Sequence, residues 1–158
     1  MIETGAQNIA FVGGFAERAI TQERMSGYVD VITKTGKIPF ALHGRATRAF
    51  GHDAALQLIK DHPHVDAALC FNDLVALGML SGFARMGKQI GRDFRLVGFD
   101  DIEECAQVWP QLTSVRCDIA HFARDTAHKL LRWLEDGEQP DTESRAAIEL
   151  VIRASTSG

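Results

Sequence analysis

The run Val65-Asp66-Ala67-Ala68-Leu69-Cys70-Phe71 is apolar at all but one position. A strand wetted on one side alternates apolar and polar residues. This one does not, so it belongs in a sheet covered on both faces. Asn72 follows directly and has the chemistry of a helix N-cap, opening a helix to Met86 that Gly87 closes. The same strand-then-helix unit recurs. A strand over 9–12 leads to a helix capped by Thr21 and reaching Lys34, with Met25, Val29 and Ile32 on one face and Gly36 at its end. A strand over 39–42 and a polar loop over 44–50 precede a helix over 51–61, which turns Ala55, Leu58 and Ile59 inward and stops before Pro63. Residues 94–99 read as a strand and 102–107 as a short helix, with Asp101 and Glu104 spaced as a capping box. Residues 113–116 form a strand or crossing segment, and 118–134 a long helix with Ile119, Phe122, Leu130 and Leu134 apolar. A polar turn over 137–144 and a strand over 148–152 complete the chain. Such alternation implies an α/β fold, a parallel sheet flanked by helices on both faces.

Composition removes several classes of function. A chain of 158 residues suits one compact domain, and 46% hydrophobic with 24% charged residues is ordinary for one. The net charge of −4 gives the whole chain no electrostatic footprint for nucleic acid. No apolar run approaches the ~20 residues of a membrane span, and the N-terminus lacks the basic start and apolar core of a signal peptide. Cys70, Cys105 and Cys117 form no CxxC, and their odd number argues against a disulfide framework, so a reduced, cytoplasmic protein is expected. Phe11-Val12-Gly13-Gly14-Phe15 lacks the third glycine of a dinucleotide loop and the Gly-Lys-Ser/Thr of a P-loop, and reads better as a tight turn. Ser114 lacks the Gly-x-Ser-x-Gly elbow, and no nucleophile–base–acid set is visible. His121, Asp125 and His128 could share a helix face, but no fourth metal ligand accompanies them. No cofactor is expected, and an enzyme is the less favoured class.

The candidate chemistry lies at strand ends. Ligands of open parallel sheets sit outside the carboxyl ends of strands, where Asn72 and Asp100 both fall. A carboxylate that accepts two hydrogen bonds beside an amide that donates and accepts suits neighbouring hydroxyls on a sugar-like ring. Arg24, early in a helix starting at that edge, adds a planar fork of donors. Each residue also has a plain reading: an N-cap for Asn72, a turn residue for Asp100 and a surface ion pair for Arg24.

Several segments together carry a family resemblance: Asn8-Ile9-Ala10-Phe11-Val12-Gly13-Gly14; Arg24-Met25-Ser26-Gly27-Tyr28; Phe71-Asn72-Asp73 with Ala76-Leu77-Gly78; Leu96-Val97-Gly98-Phe99-Asp100-Asp101 with Trp109-Pro110-Gln111-Leu112-Thr113-Ser114-Val115; and Arg153-Ala154-Ser155-Thr156. In this order they resemble the effector-binding domain of LacI/GalR-family transcriptional regulators. The resemblance implies half of a type I periplasmic-binding-protein-like fold. Residues 1–116 would form the C-terminal subdomain, and 117–158 the crossover helix and final strand linking it to a second subdomain. A fragment cut near the start of that subdomain is one reading of the chain, and a naturally short protein is the other. The resemblance further implies a sugar-like effector held by Arg24, Asn72 and Asp100, with Ile20, Ala46 and Ile119 as further candidate contacts. It implies a homodimer through Leu77, Leu80, Val108 and Trp109, and operator DNA bound by a domain outside this chain. One departure concerns the loop Gly44-Arg45-Ala46-Thr47-Arg48, which lacks the aromatic that often stacks on a sugar. Its two arginines hint instead at an acidic effector. A periplasmic sugar- or solute-binding protein and an α/β enzyme are the rival readings. With the second subdomain missing, the apolar stripe of the helix over 118–134 is expected to fold back onto its own sheet or to swap with a second copy.

Overall fold

The computed structural model describes residues 1–142 and 145–157. In chain order the elements are β1 (Ile9–Val12), α1 (Ala19–Lys34), β2 (Phe40–Leu42), α2 (Arg48–Asp61), β3 (Ala67–Cys70) and α3 (Asp73–Arg85). They continue with β4 (Arg95–Asp100), α4 (Glu104–Gln107), β5 (Thr113–Cys117), α5 (Ile119–Asp136) and β6 (Ile148–Val151). The strands form one sheet in the order β2-β1-β3-β4-β5-β6. All neighbours through β5 pair in parallel, as the alternation requires, whereas β6 runs antiparallel to β5. That reversed strand was not foreseen. Of the polar turn expected over 137–144, residues 143 and 144 lie outside the described residues.

Period-two placement of side chains divides the core. Ala10 and Val12 of β1 join Ala68, Cys70 and Leu96 beneath α2 and α3, while Phe11 turns the other way to meet Tyr28 and Ile32 of α1. The two helices on the first face cross almost backbone to backbone. A Cβ on Gly51 would stand 2.0 Å from the Val75 carbonyl oxygen, and one on Gly78 would stand 2.0 Å from that of Arg48. Glycine is required at both positions.

Several helix starts differ from expectation. Thr47 caps α2 by accepting from the Phe50 amide, so the helix begins inside the expected polar loop. The N-cap of α1 is Arg18, and Thr21 is buried within the first turn instead of capping it. The cap of α4 is Glu103 with no side-chain bond, because Asp101 is committed to Arg116 and Arg153. Asn72 does cap α3 through the Val75 amide, and Asp118, expected as the first helical residue, instead caps α5 through the His121 amide.

The expected fold-back of α5 does not occur. None of its residues is buried, and Ile119, Leu130 and Leu134 are exposed. Asp118 alone separates β5 from α5, a connection too short to turn the helix back over the sheet, since such loops commonly take about 2–6 residues. The α1 face therefore keeps an apolar cavity of about 460 Å³ lined mainly by Ile9, Phe11, Tyr28, Leu69 and Val115. Cys70 is a core residue, whereas Cys117 is only half-buried.

Candidate functional site

The strand order reverses at β1: β2 is laid on one side of it and β3 on the other. Such a switch point opens a crevice at the carboxyl ends of the flanking strands. Asn72 follows the end of β3 and Asp100 is the last residue of β4, so the parallel pairing brings both to that edge. Ile20, Ala46 and Ile119 also follow the carboxyl ends of parallel strands, β1, β2 and β5.

Arg24 is the best-held member of the set. Its guanidinium carbon lies 3.8 Å from the Phe99 ring centre and 4.7 Å from that of Phe71. Nη1 donates to the Phe71 carbonyl oxygen, and Nη2 stands 3.5 Å from Oδ1 of Asp100. The side chain is only 18% exposed, and its Nε is buried without a hydrogen-bond partner among the described residues. Cation–π contact of this kind contributes about 0.5–2 kcal/mol, more as the pair is desolvated. The surface ion pair is thus excluded as the whole account of Arg24.

Asp100 has φ +115° and the next residue, Asp101, φ +54°. Burial pushes the Asp100 carboxyl above its ordinary value, and the nearby Asp73 charge adds to the rise, against the pull of Arg24. Asp101 shifts the other way: burial would raise it, but hydrogen bonds from Arg153 and Arg116 outweigh that and hold it low. Asn72 spends Oδ1 on the Val75 amide at 3.1 Å. Its NH2 group makes no hydrogen bond among the described residues. Within the expected trio the ion pair is between Arg24 and Asp100.

Two features escaped the reading of the residues. Phe71 and Phe99, the platform under Arg24, each precede a polar site residue at a strand end. The repeated Phe-Asn and Phe-Asp pairs were an available signal. The second is Asp73, fully buried, which accepts from Ser114 Oγ at 2.6 Å and from the Ile102 amide at 2.9 Å. Ser114 is therefore a bridge in a buried network.

The remaining candidates separate as follows. Arg48 pairs with Glu104 at 2.7 Å, which leaves Arg45 as the loop cation exposed to solvent without an ion pair among the described residues. Asp125 pairs with Lys129 at 3.1 Å, and among the described residues no group of three or more His, Cys, Asp or Glu side chains converges for a metal. Trp109 is 84% exposed, whereas Leu80 and Val108 are half-buried. Leu77, an expected interface anchor, is only 9% exposed and belongs to the core, so it offers little surface. Among the described residues no helix is long and apolar enough to cross a membrane.

The terminal Arg153-Ala154-Ser155-Thr156 is a staple. Ser155 Oγ donates to the Leu96 carbonyl at 2.6 Å and accepts from the Thr113 amide at 2.8 Å, joining the starts of β4 and β5. Arg153 Nη1 donates to Asp101 at 2.6 Å and to the Leu112 carbonyl at 2.7 Å.

The family model for the periplasmic binding protein-like domain matches residues 1–156, almost the whole chain. The chain belongs to that family. Among similar members, this periplasmic binding protein-like domain is 28% identical over 157 residues to the HTH-type transcriptional repressor PurR of Vibrio atlanticus (strain LGP32), covering 98% of this chain and 47% of the repressor. It is 29% identical over 160 aligned positions to the HTH-type transcriptional repressor CytR of Escherichia coli (strain K12), covering 99% and 47%. The chain spans about half the length of these curated relatives, which are repressors of the LacI family. In structure it matches the lac repressor dimer bound to operator and the anti-inducer ONPF, with TM-score 0.91 and 25% identity over 99% of this chain and 48% of that one.

Proposed function

We propose that this domain is the effector-sensing part of a LacI-type transcriptional regulator and is not an enzyme. The single observation that carries the proposal is the Arg24–Asp100 pair, clamped on two aromatic rings at the sheet's carboxyl edge beside Asn72. A guanidinium, a carboxylate and a free amide NH2 offer both donors and acceptors, the complement of adjacent hydroxyls on a small sugar-like molecule. Ile20, Ala46 and Ile119 border the same edge and form its less polar rim. Residues 1–116 make the body of one subdomain, and 117–158 join it to a second, with β6 and residues 153–156 returning to stitch the first. Effector held between the two subdomains then biases a DNA-binding domain outside this chain toward or away from operator. The setting is cytoplasmic.

A homodimer is part of this reading, through Trp109 with Leu80 and Val108. An exposed tryptophan flanked by half-buried apolar residues is the anchor type that dominates interfaces. Sedimentation of the intact regulator should show a dimer, with Trp109 shielded from quencher. A monomer with Trp109 open to quencher would remove this interface.

A thermal-shift screen of the intact regulator against monosaccharides and nucleosides tests the sensing role. Stabilisation by one ligand class that Asp100→Asn abolishes is the expected result. Turnover of a screened compound would overturn the non-enzyme reading.

A further inference from the structure

We infer that Asp73, fully buried behind the candidate site, is a positioning residue that holds Asp100 there. The inference rests on the reading of Asp100 as a ligand contact. The bend after β4 places both Asp100 and Asp101 at positive φ, +115° and +54°. Residues with side chains rarely adopt that region, and they stay there only where their surroundings hold them. Arg116 and Arg153 grip the Asp101 carboxylate, and three further hydrogen bonds hold the backbone of the bend, all leading to one carboxylate. The Asp101 amide donates to Ser114 Oγ at 3.1 Å, Ser114 Oγ donates to Asp73 Oδ1 at 2.6 Å, and the Ile102 amide donates to Asp73 Oδ2 at 2.9 Å. Both backbone groups that follow Asp100 are thereby fixed, one through Ser114 and one directly.

Asp73 can do this because its own place is fixed twice. It opens α3, where the positive end of the helix favours a carboxylate, and it is fully buried against Gly98. It is also the sequence neighbour of Asn72. A single helix start thus sets Asn72 directly and Asp100 through Asp73, so the spacing of two candidate ligand groups depends on one buried carboxylate.

The experiment uses the full chain and three variants. Asp73→Asn can still accept from the Ile102 amide while its NH2 donates to Ser114 Oγ, which keeps the Asp101 bond. Asp73→Ala removes both links, and Ser114→Ala removes one with almost no change in volume. Titration of the Asp100 carboxyl by carbon-detected NMR, with the Asp101 and Ile102 amide shifts, needs no ligand. The Asp100 midpoint is expected to fall toward that of a free aspartate in Ser114→Ala, which keeps the Asp73 charge. Both Asp73 variants also lose that charge, which raises Asp100, so Asp73→Ala is expected to lower the midpoint further than Asp73→Asn, in which the Asp101 and Ile102 amides hold. If Asp73→Ala does not fold, Ser114→Ala decides. An unmoved Asp100 midpoint and unmoved amides in a folded Ser114→Ala variant would overturn the inference. Calorimetry with D-ribose as the probe should show binding weakened roughly tenfold in Ser114→Ala, the scale of one lost buried hydrogen bond. Wild-type protein that ignores D-ribose would count against ribose as a ligand class while the titration still decides the positioning role.

Discussion

Oδ1 of Asp73 lies 2.0 Å from the point where a Cβ on Gly98 would stand. A carboxylate held by two hydrogen bonds cannot swing aside as the end of a flexible chain would. Gly98→Ala should therefore destabilise the domain by about 1–3 kcal/mol, the usual cost of overpacking. A denaturant midpoint lowered at unchanged slope would register it. A midpoint equal to wild type would mean that the Asp73 clamp yields easily.

Arg24 should be irreplaceable by another cation. Lysine keeps the charge but has no plane to lie 3.8 Å above Phe99. Arg24→Lys is expected to lose nearly as much effector affinity as Arg24→Ala. In Arg24→Ala the Asp100 carboxyl should also titrate higher than in wild type, because the charge that holds it down is gone. A fall in the Asp100 midpoint would contradict this account of its electrostatics.

The two neighbouring aspartates should affect stability with opposite signs of pH dependence. The folded value of Asp100 is raised, so the native state keeps that proton longer. Its contribution is present below the unfolded value and lost as pH rises through the folded one. Asp100→Asn should consequently match or exceed wild-type stability at neutral pH and lose that advantage in acid. Asp101 is depressed, so its contribution is present above the unfolded value and lost as pH falls through the folded one. Asp101→Asn should be the less stable variant at neutral pH, with the gap closing in acid. Denaturant melts across that range distinguish the two.

Helix α5 should tolerate what the core does not. Leu134 is exposed, whereas Leu58 of α2 is fully buried against the sheet. Leu134→Glu should change the stability of this chain by no more than about 0.5 kcal/mol, while Leu58→Ala should cost about 2–5 kcal/mol. Amide exchange in α5 is expected to be fast for a chain that stays monomeric. Slow exchange together with a dimeric mass would show α5 swapped onto a second copy.

Ser155 joins Leu96 to Thr113 across the starts of two strands. Ser155→Ala leaves the buried Thr113 amide without its acceptor, at a cost of about 1–3 kcal/mol. A drop in the denaturant midpoint with effector affinity retained would mark the terminal motif as structural. Lost affinity at unchanged stability would place Ser155 in the site instead.

The chain's local chemistry is legible without coordinates. The unbroken apolar run before Asn72 requires a strand covered on both sides. Asn72 caps its helix because a short polar side chain reaches an amide three residues on. Strand-then-helix alternation then brings Asn72 and Asp100 to one sheet edge. These outcomes depend on neighbours a few residues apart, where sequence order and spatial order coincide. The partners of Arg24 lie elsewhere: the Phe71 carbonyl is 47 residues away in sequence. Asp101 had two competing roles, helix cap and ion-pair partner, and only packing that places Arg153 52 residues along the chain beside it decides between them. The direction of β6 and the bare face of α5 are likewise decided in three dimensions. An apolar stripe records that a helix prefers cover, but which surface lies within its reach depends on where the strands before and after it have been laid down.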